Sequence, residues 1–287
     1  MGTHVIKLPS GAKIEMRDIR LKEENLLAKL ANASSVKQNK ILKDIIQSCT
    51  VGIVDHGTVY EKMNSNMSWN DALQGDLFAA LVGLARISYN NDSSHTFKLK
   101  HCNKIFDYEI DLEKDLFIQE LPKESIEKIL AKENFETQID GKKVTFKIPM
   151  VRDQEKAQRL EDQFPSRKIT AGLRSLIVEV EGVNNNHIMS WLDGVSNKGT
   201  SKYPGLESED LEKLRDNFDI VNCGIDDEID AICPHCEEEF VARVPLDGGL
   251  LNPGKSIQER KKQRRQEQKA KRRRGMVISE DTEKKTS

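Results

Sequence analysis

The sequence predicts an α+β fold in which helices alternate with β-hairpins. Two stretches with strand-like alternation close around short turn signals, Pro9-Ser10-Gly11 and Asp140-Gly141. Between them lie stretches with apolar residues at helical spacing, clearest in Leu73, Leu77, Phe78, Leu81, Leu84 and Ala85. No regular strand–helix–strand unit of the kind a parallel sheet needs recurs along the chain. A chain of 287 residues can bury a sizeable core and form two modest domains. The expected regions are 1–118, with a hairpin, helices and a first knuckle-like hairpin; 119–253, a second α+β region ending in a Cys-x-x-Cys knuckle; and a charged tail, 254–287.

In chain order, His4 to Leu8 and Ala12 to Ile19 form the opening hairpin. Leu26, Leu27, Leu30 and Ala31 follow helical spacing, as do Ile41, Leu42, Ile45, Ile46 and Cys49, giving two amphipathic helices with Cys49 on an apolar face. After a polar linker the strongest helix runs from Asn70 to Ser88, its apolar stripe reading as core. The first knuckle hairpin occupies His95 to Leu112, and Pro122 suits the start of a short helix over Lys123 to Lys132. Phe135 to Ile139 and Val144 to Ile148 flank Asp140-Gly141, which supplies the positive φ angles of a type I′ turn. Helical patterns resume at Asp153 to Gln163, Lys168 to Ile177 and His187 to Leu192, then at Glu209 to Phe218 with Ser208 as the expected cap. The second knuckle hairpin closes the fold near Leu251.

The chemistry of the chain concentrates in Cys233-Pro234-His235-Cys236, a cysteine pair at metal-ligand spacing followed by Phe240 and the strand-like run Val241 to Leu246. An earlier partial copy stands at His101-Cys102. Without gaps, Cys102 aligns with Cys236, Phe106 with Phe240 and Leu112 with Leu246, while Leu99 stands where Cys233 does. This reads as a duplicated hairpin whose second copy keeps the pair and whose first has lost a ligand. Zinc needs two further N or S donors, for which Cys102, His101 and Cys223 are candidates, none at diagnostic spacing; His235 lies inside the turn and would point away. A knuckle with free thiols is the competing reading. A redox pair would need a helix directly after the motif, where Glu237 to Glu239 and a β-favouring run stand instead.

With 37% hydrophobic and 5% aromatic residues the chain is expected to be soluble and cytosolic. Five cysteines, an odd number, do not form a disulfide framework. The opening Met-Gly-Thr-His-Val-Ile has neither a basic nor an apolar leader, so no signal peptide is expected, and the longest near-apolar run, Leu77 to Ala85, is too short for a membrane span. The net charge of −2 hides an asymmetry: Lys255 to Arg274 carries eleven basic and two acidic residues, a local +9 that leaves −11 elsewhere. Such a stretch reads as a solvated helix or a disordered arm, suited to nucleic acid, to an acidic protein surface or simply to solubility.

Gly249 to Ser256 matches the phosphate-loop spacing G-x-x-x-x-G-K-S, but the following segment has almost no apolar residue to pack on a sheet, so nucleotide binding is not expected. There is no G-x-S-x-G or H-E-x-x-H motif, and His4, His56, His95, His101, His187 and His235 are scattered. The carboxylates Asp226 to Glu228 and Glu237 to Glu239 stand in solvated runs. A non-enzymatic protein is expected.

The opening Leu8-Pro9-Ser10-Gly11 with Ile14-Glu15-Met16-Arg17 resembles the amino terminus of the baseplate hub and hub-assembly family of T-even-type contractile-tailed bacteriophages. Gly75-Asp76 at the head of a long helix ending Arg86-Ile87-Ser88-Tyr89, the Cys-containing hairpin ending Asp111-Leu112, and the late Cys-Pro-x-Cys run into Pro245-Leu246 share that resemblance, which spans the chain to about residue 253. The first knuckle departs from it in lacking its leading cysteine, and the basic tail is not a family feature. The resemblance implies a late viral protein that acts through protein–protein contacts with other hub proteins, as a subunit or an assembly factor, in the host cytoplasm and in the tail baseplate. The other reading is a zinc-ribbon nucleic-acid-binding regulator gripping phosphate through Lys255 to Arg274.

Overall fold

A computed structural model describes residues 2–30, 33, 35–61, 68–88, 94–195, 201–245 and 250–251. The basic stretch 255–274 and all of the phosphate-loop match except Leu250 and Leu251 lie outside the described residues. The architecture is α+β, with helices set among small antiparallel sheets.

Strands β1 (Thr3–Lys7) and β2 (Lys13–Arg17) form the opening hairpin, and Ile14 and Met16 point into the core by the two-residue period. Helices α1 (Leu21–Leu27) and α2 (Ser35–Cys49) follow; Ile45, Ile46 and Cys49 are fully buried on one face. The chain leaves α2 directly into β3 (Thr50–Asp55), which sequence reading missed and which pairs with β2 to complete the sheet β1-β2-β3.

Helix α3 (Gln74–Ser88) is the centre of the molecule, with Ala80, Leu81, Leu84 and Ala85 essentially inaccessible. It starts later than Asn70 because Trp69–Asp71 form a 3-10 turn and Ala72 is extended. Asp76, in its first turn, is buried and accepts hydrogen bonds from the Ser10 N–H and the Tyr60 hydroxyl. Its neighbour must be glycine: a Cβ on Gly75 would lie 1.9 Å from the Cys223 carbonyl oxygen. The Gly75-Asp76 pair thus fastens the helix to the opening turn on one side and to residues near 223 on the other.

Strands β4 (Ser94–His101) and β5 (Lys104–Asp111) form a long hairpin whose inner face carries Phe97, Leu99, Phe106 and Ile110. Strand β6 (Phe117–Gln119) leads to α4 (Lys123–Ala131), which stops at Lys132 in the left-handed region. Strands β7 (Phe135–Ile139) and β8 (Lys142–Phe146) turn through Asp140 and Gly141, both at positive φ, as their sequence requires. Helices α5 (Val151–Gln163) and α6 (Lys168–Leu176) return the chain to β9 (Ile177–Val180), which pairs with β8. Helices α7 (Ile188–Asp193) and α8 (Ser208–Val221) come next. The α8 cap position is Glu207, with no side-chain cap, and Ser208 already lies in the helix, a correction to the expected start. Strand β10 (Gly224–Asp226) then pairs with β6, and β11 (Glu228–Ile232) with β12 (Glu239–Arg243).

Five small sheets result among the described residues, and one contiguous apolar core from Leu8 to Leu251 joins them. No helix among the described residues is long and apolar enough to cross a membrane.

Candidate metal centre

The hairpins β4–β5 and β11–β12 are separate two-stranded sheets with no ladder between them, and they meet at their turns. In the first, His101 pairs with Lys104, so the turn is Cys102-Asn103. Both turn residues have positive φ, 42° and 62°, the geometry of a two-residue type I′ turn. Asn103 accepts this conformation readily, whereas Cys102 is an unusual residue in it and carries its thiol at the hairpin tip.

In the second hairpin Ile232 pairs with Glu239, leaving a six-residue loop from Cys233 to Glu238. The Cys233 N–H donates to the Glu238 carbonyl at 3.0 Å and the Glu237 N–H to the Cys233 carbonyl at 2.9 Å. Glu237, at φ 60°, makes the left-handed bend that closes the loop. Inside it the N–H groups of His235 and Cys236 point at the Cys233 sulfur. Burial pushes that thiol up, but these N–H groups and the His101 ring outweigh burial and bring it down to about 6. At Cys236 the Glu238 N–H favours the thiolate, but burial and the neighbouring sulfurs of Cys233 and Cys102 win and push it up to about 11. Thiols crowded this closely resist ionising together unless a cation joins them.

The ligand atoms of His101, Cys102, Cys233 and Cys236 all lie within 4.8 Å of one another, a group with the chemistry to hold a metal ion. Cys102 Sγ is 3.7 Å from Cys233 Sγ, and Cys236 Sγ is 3.3 Å from His101 Nδ1. The His101 ring stacks on Phe240, centroids 4.3 Å apart, and Phe106 meets Phe240 and His235 edge-on. These aromatic contacts orient the imidazole and seal the inner side of the cluster, where Cys233 is fully buried.

The structure therefore brings Cys233 and Cys236 together with Cys102 and His101, and leaves Cys223 elsewhere. Cys223 is buried beside Gly75, and burial pushes its thiol well up, as it does that of Cys49, to about 12. His235 is outside the cluster. The ungapped echo between the hairpins does not survive as register: Leu99 pairs with Phe106, whereas Phe240 pairs with Ala231 rather than with Cys233. Leu99 is a buried strand residue, and the first hairpin supplies two adjacent donors from its tip in place of a spaced pair. The sequence signal for His101 was its place next to Cys102, but only the fold could bring it across 135 positions to Cys236.

Residues 1–247 match the family model described as T4 bacteriophage base plate protein. No curated protein matches the chain. No solved structure matches it.

Proposed function

The chain belongs to the T4 bacteriophage base plate protein family, and from that premise we propose that it works at the hub of the tail baseplate, as a subunit or an assembly factor acting through protein–protein contacts. The observation that carries this reading is the extent of the family match, from the opening hairpin through β12. In this role the protein binds and positions and catalyses no reaction. An acidic body of −11 attracts basic partner surfaces at long range, and exposed apolar residues such as Phe117 on β6 and Ile220 on α8 supply short-range contact. Phe117 and Ile220 are 70% and 67% exposed, and their elements are tied by the Gln119 amide donating to the Asp219 carbonyl. The thiolate-rich cluster is read as a zinc centre that keeps two hairpins in fixed relation rather than as a reactive site.

Affinity capture of the tagged chain from infected cells, with partners identified by mass, tests the hub role. Enrichment of baseplate hub proteins is expected, weakened by Phe117→Asp and Ile220→Asp in a chain that still melts normally. Recovery of outer baseplate or sheath proteins without hub proteins would contradict it.

A further inference from the structure

We propose that His101, Cys102, Cys233 and Cys236 form a closed four-ligand zinc site, three thiolates and one imidazole, that staples the β4–β5 hairpin to the β11–β12 hairpin. This extends the zinc reading above by fixing the ligand set, and it stands apart from the hub role, which the capture experiment tests.

Geometry is the first argument. Zn–S bonds of about 2.3 Å at tetrahedral angles place two sulfurs about 3.8 Å apart, and a sulfur and an imidazole nitrogen about 3.6 Å apart. The Cys102–Cys233 separation is 3.7 Å and the Cys236–His101 separation 3.3 Å. All four donor atoms lie within 4.8 Å of one another, close enough for one ion to draw them together. Three sulfurs with one nitrogen is a soft set that selects zinc over magnesium or calcium. With four protein donors no position is left for a substrate or an activated water, so the ion is structural.

A second argument comes from what the hairpins lack. An isolated two-stranded hairpin is marginal in water, and each of these is a two-stranded sheet with no third strand among the described residues. Each also has one poorly covered face: Ile105 on one, Ile232 and Val241 on the other, are more than half exposed. An ion between the tips closes a long loop in the chain, from Cys102 to Cys233, and supplies the connection that no strand ladder makes. Backbone conformation is the third argument. Cys102 occupies the first position of a type I′ turn at φ 42°, where Asn or Gly would sit without cost, and a cysteine held there marks a role for the thiol at that tip.

The test uses full-length protein loaded with zinc under reducing conditions, desalted and analysed for metal, alongside cobalt-substituted samples. Wild type is expected to retain one zinc per chain and to give the intense visible bands of tetrahedral cobalt with a near-ultraviolet thiolate band. His101→Ala and Cys102→Ser are each expected to lose stoichiometric retention against a competing chelator. His101→Cys keeps four donors, so it is expected to hold zinc and to strengthen the thiolate band by about one third, from three sulfurs to four. Wild type that holds no stoichiometric zinc would overturn the proposal. So would His101→Ala or Cys102→Ser with wild-type retention and an unchanged cobalt spectrum. Should those two fail to fold, a folded His101→Cys that has lost zinc or shows no stronger thiolate band overturns it by itself.

Discussion

Glu23 offers a stability test whose size follows from the structure. Its side chain is fully buried in the first turn of α1, yet it is ionised and fully partnered. It accepts from Arg17 Nη2 at 2.9 Å, from the Ser48 hydroxyl at 2.6 Å and from the Arg20 N–H at 3.1 Å. One carboxylate thus ties the end of β2, the start of α1 and the end of α2. Burial raises its pKa, but the Arg17, Ser48 and Arg20 hydrogen bonds win and hold it at about 2, against an ordinary 4.5. At about 1.4 kcal/mol per pH unit, that interval corresponds to about 3 kcal/mol of stability at neutral pH. The figure lies at the lower end of the roughly 3–5 kcal/mol that breaking a buried ion pair costs. A carboxylate with a depressed folded pKa stabilises fully above its unfolded pKa and loses that contribution as pH falls from about 4.5 towards 2. Glu23→Gln is therefore expected to be about 3 kcal/mol less stable than wild type in urea at pH 7, and the gap is expected to narrow steadily between pH 4.5 and pH 2.5. A gap that stays constant over that range, or a loss below about 1 kcal/mol at pH 7, would refute the reasoning.

Other outcomes follow from the same contacts. Gly75→Ala drives a methyl into the Cys223 carbonyl and is expected to cost roughly 3 kcal/mol or more, read as a lowered melting temperature with α3 and β10 exchanging amide protons faster. Burial holds Asp76 above the usual carboxylate range despite the Tyr60 and Ser10 hydrogen bonds, so its ionisation opposes folding as pH rises past about 4. Asp76→Asn, which keeps an acceptor for one of the two donors and no charge to bury, is expected to be milder than Asp76→Leu, and its stability relative to wild type should improve from pH 4 to pH 7. Deleting residues 254–287 is expected to leave the melting temperature unchanged, and to slow association with an acidic partner below about 50 mM salt, where screening is weak. A truncated chain that aggregates, or that associates as fast as the full chain in low salt, would count against the respective half of that expectation.

What the sequence disclosed about the fold was what lies in local chemistry. Asp140-Gly141 announced its turn because positive φ has few suppliers, and α3 announced itself through an apolar stripe that repeats for four turns. Strands β3 and β9 were missed because each follows a helix without a turn signal, and β6 and β10 because three residues are too few to show alternation. The Ser10–Asp76–Tyr60 network links three segments by hydrogen bonds that no spacing rule encodes. At the metal centre the Cys-x-x-Cys half was legible, since two thiolates from one turn have a fixed interval. His101 and Cys102 stood beside Cys223 as candidate donors, but adjacent donors at a hairpin tip carry no diagnostic interval, and only the docking of the second hairpin against them separates them from Cys223.

Hydrogen exchange of the full chain with and without a zinc chelator tests the staple most directly. If one ion holds both hairpins, chelation should raise amide exchange in 94–112 and in 228–243 together, while α3 and the β1-β2-β3 sheet keep their protection. Exchange that rises only in the Cys233 to Cys236 hairpin, or in neither hairpin, would contradict the account.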